Sequence, residues 1–203
     1  IFDLDGVLID TKSNMINAWS KVQKDYSLEH IKFEDYFKNI GRPFFDILKI
    51  IGVKRDYEKV LKTYQRESIN QSRHSKFYKN ALKTLMLLRK KNFILNIVTS
   101  KDMKRTKIFL GKNINLFSNI QCLNKKIAGK PDPYQINKII KKSKVRKKDC
   151  VYIGDTNIDY LTAMNAKIDF IYAEWGYGKN FRYKYRSKNI SDILKILEFN
   201  KLD

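Results

Sequence analysis

Ile1-Phe2-Asp3-Leu4-Asp5-Gly6-Val7 opens the chain. An apolar run that ends on two carboxylates and a glycine reads as a buried strand turning sharply at its C-terminal end. An acidic pair at the mouth of such a strand can hold a hard cation and present a nucleophilic oxygen together. The run begins inside its strand, so residues before Ile1 are expected. No signal peptide is read here, because Asp3 and Asp5 interrupt the early apolar stretch.

Four further apolar runs follow: Phe93 to Val98, Ile120 to Leu123, Cys150 to Ile153 and Ile168 to Ala173. Helical periodicity fills the gaps over Asn80 to Lys91, Met103 to Lys112, Pro133 to Lys142 and Ile158 to Lys167. Strand and helix alternating at this spacing predict an α/β fold, a Rossmann-like parallel sheet with helices on both faces. Right-handed crossovers then bring every strand C-terminus to one edge, where open sheets bind ligands. The stretch after the first strand is too long for one crossover. It carries helical faces instead (Met15, Ala18, Trp19, Val22; Ile47, Leu48, Ile51; Val60, Leu61, Tyr64). The expected organisation is a core of residues 1–11 and 78–203, with an all-helical cap inserted over 12–77 above the ligand edge.

Composition sets bounds. Hydrophobic residues make up 43% and charged residues 31% of the 203 positions, enough for a real core under a well-solvated surface. No apolar run approaches the roughly 20 residues that span a bilayer, so no membrane partner is expected. Cys122 and Cys150 lie in no disulfide or metal spacing and read as buried, reduced cysteines of a cytoplasmic protein. The net charge of +21 invites a nucleic-acid reading. The lysines are spread along helix faces (Lys138, Lys141, Lys142), and the groups Arg89-Lys90-Lys91 and Lys144 to Lys148 are short, which argues against one. The charge does imply a positive field that draws anions such as phosphates into a cleft.

Three later segments can meet the acidic pair. Val98-Thr99-Ser100 ends a strand on hydroxyls able to donate to a phosphate oxygen, or to cap the helix beginning near Asp102. Gly129-Lys130-Pro131-Asp132-Pro133 restrains a lysine ahead of a helix start. Gly154-Asp155-Thr156-Asn157-Ile158-Asp159 follows a strand, with Gly154 permitting a tight turn, Asp155 at the strand end or as a plain helix cap, and Asp159 one helical turn on. Each signal alone is modest. Together, at the C-termini of one parallel sheet, they bring carboxylates, hydroxyl and lysine to one small volume. Close carboxylates repel unless a cation binds, and Mg²⁺ suits an all-oxygen site that leaves room for a phosphate. Neither histidine, His30 or His74, belongs to these segments.

With these residues the chain resembles the haloacid-dehalogenase-like hydrolase superfamily, in its phosphatase branch with a helical cap inserted after the first motif. The run Phe2-Asp3-Leu4-Asp5-Gly6-Val7-Leu8-Ile9-Asp10-Thr11 is similar to the first motif, Thr99 to the second, Lys130 to the third, and Gly154-Asp155-Thr156 with Asp159 to the fourth. Trp175-Gly176-Tyr177-Gly178 is similar to the matching region of phosphoglycolate phosphatases. The resemblance implies Asp3 as nucleophile and Asp5 as general acid–base. It implies Mg²⁺ held by Asp3, the backbone carbonyl of Asp5 and Asp155, with Asp159 in support. Thr99 and Lys130 would bind the phosphoryl group. Val7, Ser100 and Asn165-Ala166-Lys167 depart from the usual pattern, and Ser100 puts a secondary substrate contact in question. Arg42, in Gly41-Arg42-Pro43 of the cap, is expected at the distal end of a small phosphorylated metabolite, gripping a carboxylate or second phosphate. The acid at position 5 points to phosphate esters rather than halides. The alternatives are a phosphosugar mutase of the β-phosphoglucomutase type and a non-catalytic, nucleic-acid-associated protein on the same scaffold.

Overall fold

The computed structural model describes residues 1–54, 56–124, 127–179 and 183–199. Residue 55 of the expected cap, and 125–126, 180–182 and 200–203 of the expected core, lie outside the described residues. In chain order the elements are β1 (Ile9–Asp10), α1 (Lys12–Tyr26), α2 (Phe33–Phe37), α3 (Phe44–Ile50), α4 (Tyr57–Asn70), β2 (Lys76–Phe77) and α5 (Ala81–Lys90). They continue with β3 (Asn96–Thr99), α6 (Met103–Leu110), β4 (Asn119–Cys122), α7 (Tyr134–Ser143), β5 (Val151–Gly154), α8 (Asn157–Ala166), β6 (Asp169–Ala173), β7 (Tyr185–Ser187) and α9 (Ile193–Phe199).

Ile1–Asp3 threads the middle of a parallel sheet. Phe2 bridges both Ile97 and Ile153, with Phe2 N–H donating to Asn96 O at 2.8 Å and Asp3 N–H to Ile153 O at 2.9 Å. The pairs β3 with β4, β5 with β6, and β6 with β7 are all parallel. The order is therefore β4-β3-(Ile1–Asp3)-β5-β6-β7. Period-two alternation divides the strand residues between two faces. Phe2, Ile97, Ile153 and Ile171 pack with Leu85 and Leu88 of α5 and Ile193 of α9. Ile1, Val98, Tyr152 and Phe170 pack with Ile136 and Ile139 of α7 and Ala163 of α8.

The helices between β1 and β2 have a core of their own, built on Met15, Ala18, Trp19, Val22, Ile47, Leu48, Val60 and Tyr64. Trp19 is fully buried and stacks on Tyr36 with centroids 4.9 Å apart. Helices α1 and α4 are also joined by two buried hydrogen bonds. Asn14 Nδ2 donates to Ser68 O, and Ser68 Oγ to Asn14 Oδ1, each at 2.8 Å. The insert is tied to the sheet by an antiparallel ribbon that pairs Ile9 with Phe77 and Asp10 with Lys76. Among the described residues no helix is long and apolar enough to cross a membrane.

Several expectations need correcting. The strand expected from Phe93 begins at Asn96, and Phe93 and Ile94 are exposed. The helix expected to reach Lys112 ends at Leu110 and continues as a 3₁₀ turn over Gly111–Leu116. Its N-cap is Asp102, which accepts Arg105 N–H, so neither Thr99 nor Ser100 caps it. Cys122 is buried as expected, but Cys150 is only half-buried.

Candidate active site

Four chain segments deliver the site because four strands end at the same edge. Asp3 leaves the central strand, Thr99 ends β3, Asp155 follows β5, and Lys130 arrives on the loop before α7. Asp3, Thr99, Lys130, Asp155 and Asp159 are all buried. Burying charge is costly unless it is paired and hydrogen-bonded, and here most of it is. Lys130 Nζ lies 2.7 Å from Asp3 Oδ1 and 2.7 Å from Asp159 Oδ1. Asp159 Oδ1 also accepts from the Tyr152 hydroxyl at 3.0 Å. Its Oδ2 accepts from Thr156 Oγ1 at 2.6 Å and Thr156 N–H at 3.1 Å, and Asp159 N–H returns a bond to Thr156 Oγ1. This is a capping box at the start of α8, so the helix cap is Thr156 and not Asp155.

Asp155 is thereby left for other work. Its Oδ2 accepts Tyr177 N–H at 2.6 Å, while Oδ1 is buried with no hydrogen-bond partner among the described residues. Carboxylate oxygens of Asp3, Asp155 and Asp159 lie within 4.8 Å of one another. Burial pushes the Asp3 carboxyl up to about 7, against the pull of Lys130 and with the push of Asp159. Burial, then Asp159 and Asp3, push Asp155 well above the usual range. Asp159 is held below it: burial opposes ionisation, but Lys130 and Thr156 outweigh that. An orphaned buried oxygen among crowded carboxylates, with no sulfur or nitrogen donor, fits a hard divalent cation such as Mg²⁺. Asp3 and Asp155 have an oxygen to give, whereas both oxygens of Asp159 are engaged by protein donors, which suits a supporting role.

Backbone shape keeps this space open. Gly6 has φ of 84°, and a Cβ there would lie 2.2 Å from Asp155 Oδ2. Gly154 is different from the turn glycine expected of it. Its φ is not left-handed, and the requirement is close approach, since a Cβ would meet Asp159 Cβ at 2.3 Å.

The Asp5 carboxylate stands outside the acidic cluster. Its Oδ1 accepts Thr11 Oγ1 at 2.7 Å and lies 3.1 Å from Lys101 Nζ. It lines a cleft of about 70 Å³ together with Asp3, Thr99, Ser100, Lys101, Arg105 and Lys130 of the core and Tyr36, Arg42 and Tyr64 of the insert. Every expected substrate-facing residue, Arg42 included, therefore reaches one cavity. The hydroxyl of Ser100 is already committed, donating to the Gly41 carbonyl and so tying core to insert.

Two participants escaped the sequence reading, and two more, Thr11 and Tyr177, entered it only as members of longer motifs with no role assigned. Lys101 and Arg105 are buried at the cleft. Tyr177 holds Asp155 through its N–H, accepts Thr11 N–H with its hydroxyl, and packs its ring 5.2 Å from Phe37 of α2. Thr11 in turn orients Asp5. The usable signals were adjacency of Lys101 to the Thr99-Ser100 strand end and the one-turn offset of Arg105 from its cap Asp102.

The family model for haloacid dehalogenase-like hydrolases matches residues 1–173. Among characterised sequences, the chain is 29% identical over 209 residues to a pyrophosphatase, PpaX, of Halalkalibacterium halodurans. That alignment covers 97% of this chain and 95% of the relative. It is 27% identical to the PpaX pyrophosphatase of Oceanobacillus iheyensis, over 97% and 95% of the two chains. Among solved structures, a candidate phosphoglycolate phosphatase from Lactobacillus plantarum superposes with a TM-score of 0.88 at 20% identity, covering 96% of each chain. A hydrolase from Pseudomonas syringae gives 0.86 at 22% identity, over 98% and 96%. At these identities the structures speak to the fold.

Proposed function

The chain belongs to the haloacid dehalogenase-like hydrolase family, and we propose that it is a Mg²⁺-dependent phosphatase of a small phosphate monoester such as phosphoglycolate, or of the related anhydride pyrophosphate. The observation that carries this reading is the meeting of Asp3, Lys130 and an Asp155 oxygen in one buried cluster, beside a cleft that Asp3, Asp5 and Lys130 line.

Asp3 attacks phosphorus through a carboxylate oxygen, forming an aspartyl-phosphate as the leaving oxygen departs. Its Oδ1 is oriented by Lys130, and Oδ2 accepts no hydrogen bond from the described residues. Asp5, steadied by Thr11, gives a proton to the leaving oxygen and then takes one from the water that hydrolyses the acyl phosphate. Lys130 and the Thr99 hydroxyl meet the phosphoryl oxygens, where fixed positive charge and donors count most. Bound Mg²⁺, held by Asp3, Asp155 and the backbone of Asp5 with Asp159 behind them, would neutralise phosphoryl charge. Arg42 lines the same cleft from the insert and suits the distal end of the substrate.

The test is p-nitrophenyl phosphate turnover with Mg²⁺, with chelator, and in Asp3→Asn. Activity is expected to need the metal and to fall at least about a thousandfold in the variant, as for loss of a covalent nucleophile. Turnover that survives either change would remove the nucleophile or the metal from the mechanism.

A further inference from the structure

The chemistry above leaves two core cations in the cleft without a task. Lys101 and Arg105 have side-chain exposures of 5% and 9%. Such burial is unfavourable unless the charges are well partnered, yet among the described residues each makes a single ion pair. Lys101 Nζ sits 3.1 Å from Asp5 Oδ1. Arg105 uses Nε on Asp102 Oδ2, and Asp102 is also held by Gln65 Nε2 at 3.1 Å. A guanidinium offers five N–H donors in a planar fork. Here one edge is anchored, while Nη1 and Nη2 make no hydrogen bond with the described residues. The Arg105 guanidinium also faces the Tyr64 ring at 5.5 Å. The ring is fixed by the buried Tyr36–Tyr64 hydroxyl bond of 2.9 Å. The ammonium of Lys101 sits over the Phe109 ring at 4.3 Å and pairs with Asp5, and with three N–H groups it keeps a donor to spare. Both side chains line the cavity that contains Asp3, and Arg42 lines it from the insert.

A fixed, half-satisfied guanidinium beside an ammonium is an arrangement that accepts an anion. Lys130 already serves the transferred phosphoryl group, so the spare donors face whatever departs from it. We propose that Lys101 and Arg105, with Arg42, form a second anion subsite, and that the substrate is a phosphate ester or anhydride whose leaving group itself carries negative charge. The inference rests on the phosphatase reading and narrows it. Lys101 and Arg105 line the same cavity as Asp3, and Lys101 touches Asp5, so the second anion belongs to the leaving group near the phosphorus. A carboxylate and a second phosphate both satisfy this chemistry.

The experiment compares kcat/KM with Mg²⁺ for propyl phosphate, 2-phosphoglycolate and inorganic pyrophosphate, in the wild type, Arg105→Met and Arg105→Lys. The wild type should favour at least one charged-leaving-group substrate over propyl phosphate by tenfold or more. Arg105→Met should cut that ratio by about 10- to 100-fold, mainly through KM, the size expected for a charge-assisted hydrogen bond. Arg105→Lys should restore part of it. Preference for phosphoglycolate identifies a carboxylate as the second anion, and preference for pyrophosphate a phosphate. Equal wild-type values, or a ratio unmoved in Arg105→Met, overturn the subsite while leaving the phosphatase reading intact. No turnover even of p-nitrophenyl phosphate overturns both. Should Arg105→Met fail to fold by circular dichroism, the wild-type ratio and Arg105→Lys still decide.

Discussion

Asp3 combines two demands that oppose each other, because a nucleophile must be ionised and a buried carboxyl resists ionisation. Burial raises its pKa from 3.8 to about 7. The folded protein therefore holds this proton more tightly than the unfolded chain does. The resulting stabilisation is fully present below about 3.8 and is lost as pH rises through about 7. Asp3→Asn cannot ionise. In chelator, its stability relative to the wild type should improve between about pH 4 and about pH 7, by up to about 4 kcal/mol at about 1.4 kcal/mol per pKa unit. Urea unfolding at the two ends of that range measures it, and a constant offset would mean that Asp3 ionises alike in both states. Asp3, Asp5, Thr99, Lys130 and Asp155 were readable in the chain because each stands where an apolar run stops or a restrained loop begins. Lys101 and Arg105 were not. Among 42 lysines and arginines their local signals are weak, and contacts distant in sequence turn them inward, Asp5 for Lys101 and Tyr64 of α4 for Arg105.

Helix α8 shows how an element can hold a site without touching substrate. Thr156 and Asp159 cap it reciprocally, and the bonds that start the helix also fix the carboxylate that grips Lys130. Thr156→Ala should cost about 1 kcal/mol, within ~0.5–2, and Thr156→Ser should recover most of it; thermal unfolding compares the three proteins. A cap that mattered to the helix alone would leave the Mg²⁺ dependence of turnover unchanged in Thr156→Ala, whereas loosening Asp159 should raise the Mg²⁺ concentration required. Helices α5, α7 and α8 were legible to within a residue or two, α5 and α7 through their apolar spacing and α8 through the Gly154-Asp155-Thr156 turn that precedes it. The ribbon of β1 and β2 was not, since two residues per strand cannot display an alternation. Strand β7, Tyr185–Ser187, was hidden likewise: with one strand neighbour among the described residues, it needs little apolar character.

Across the whole molecule, Asp3 and Asp155 are brought together only by folding, so an ion they share binds the native state and scarcely the unfolded one. Mg²⁺ should therefore raise Tm by mass action, worth about 2.7 kcal/mol at a hundredfold excess over Kd. The control is NaCl at equal ionic strength, needed because a chain of net charge +21 gains stability from any screening. Asp155→Asn should abolish the Mg²⁺-specific part, and a shift that NaCl reproduces in full would deny a specific site. The same long-range closure governs how the protein is made. The backbone of Ile1–Asp3 is hydrogen-bonded to Asn96 and Val98 on one side and to Val151 and Ile153 on the other. On the ribosome, at about 5–20 residues per second, the strand bearing the nucleophile waits roughly eight to thirty seconds for its second neighbour to be translated. Until then the strand is paired on one side only and its other edge is bare. Guarding that interval falls to whatever attends the nascent chain.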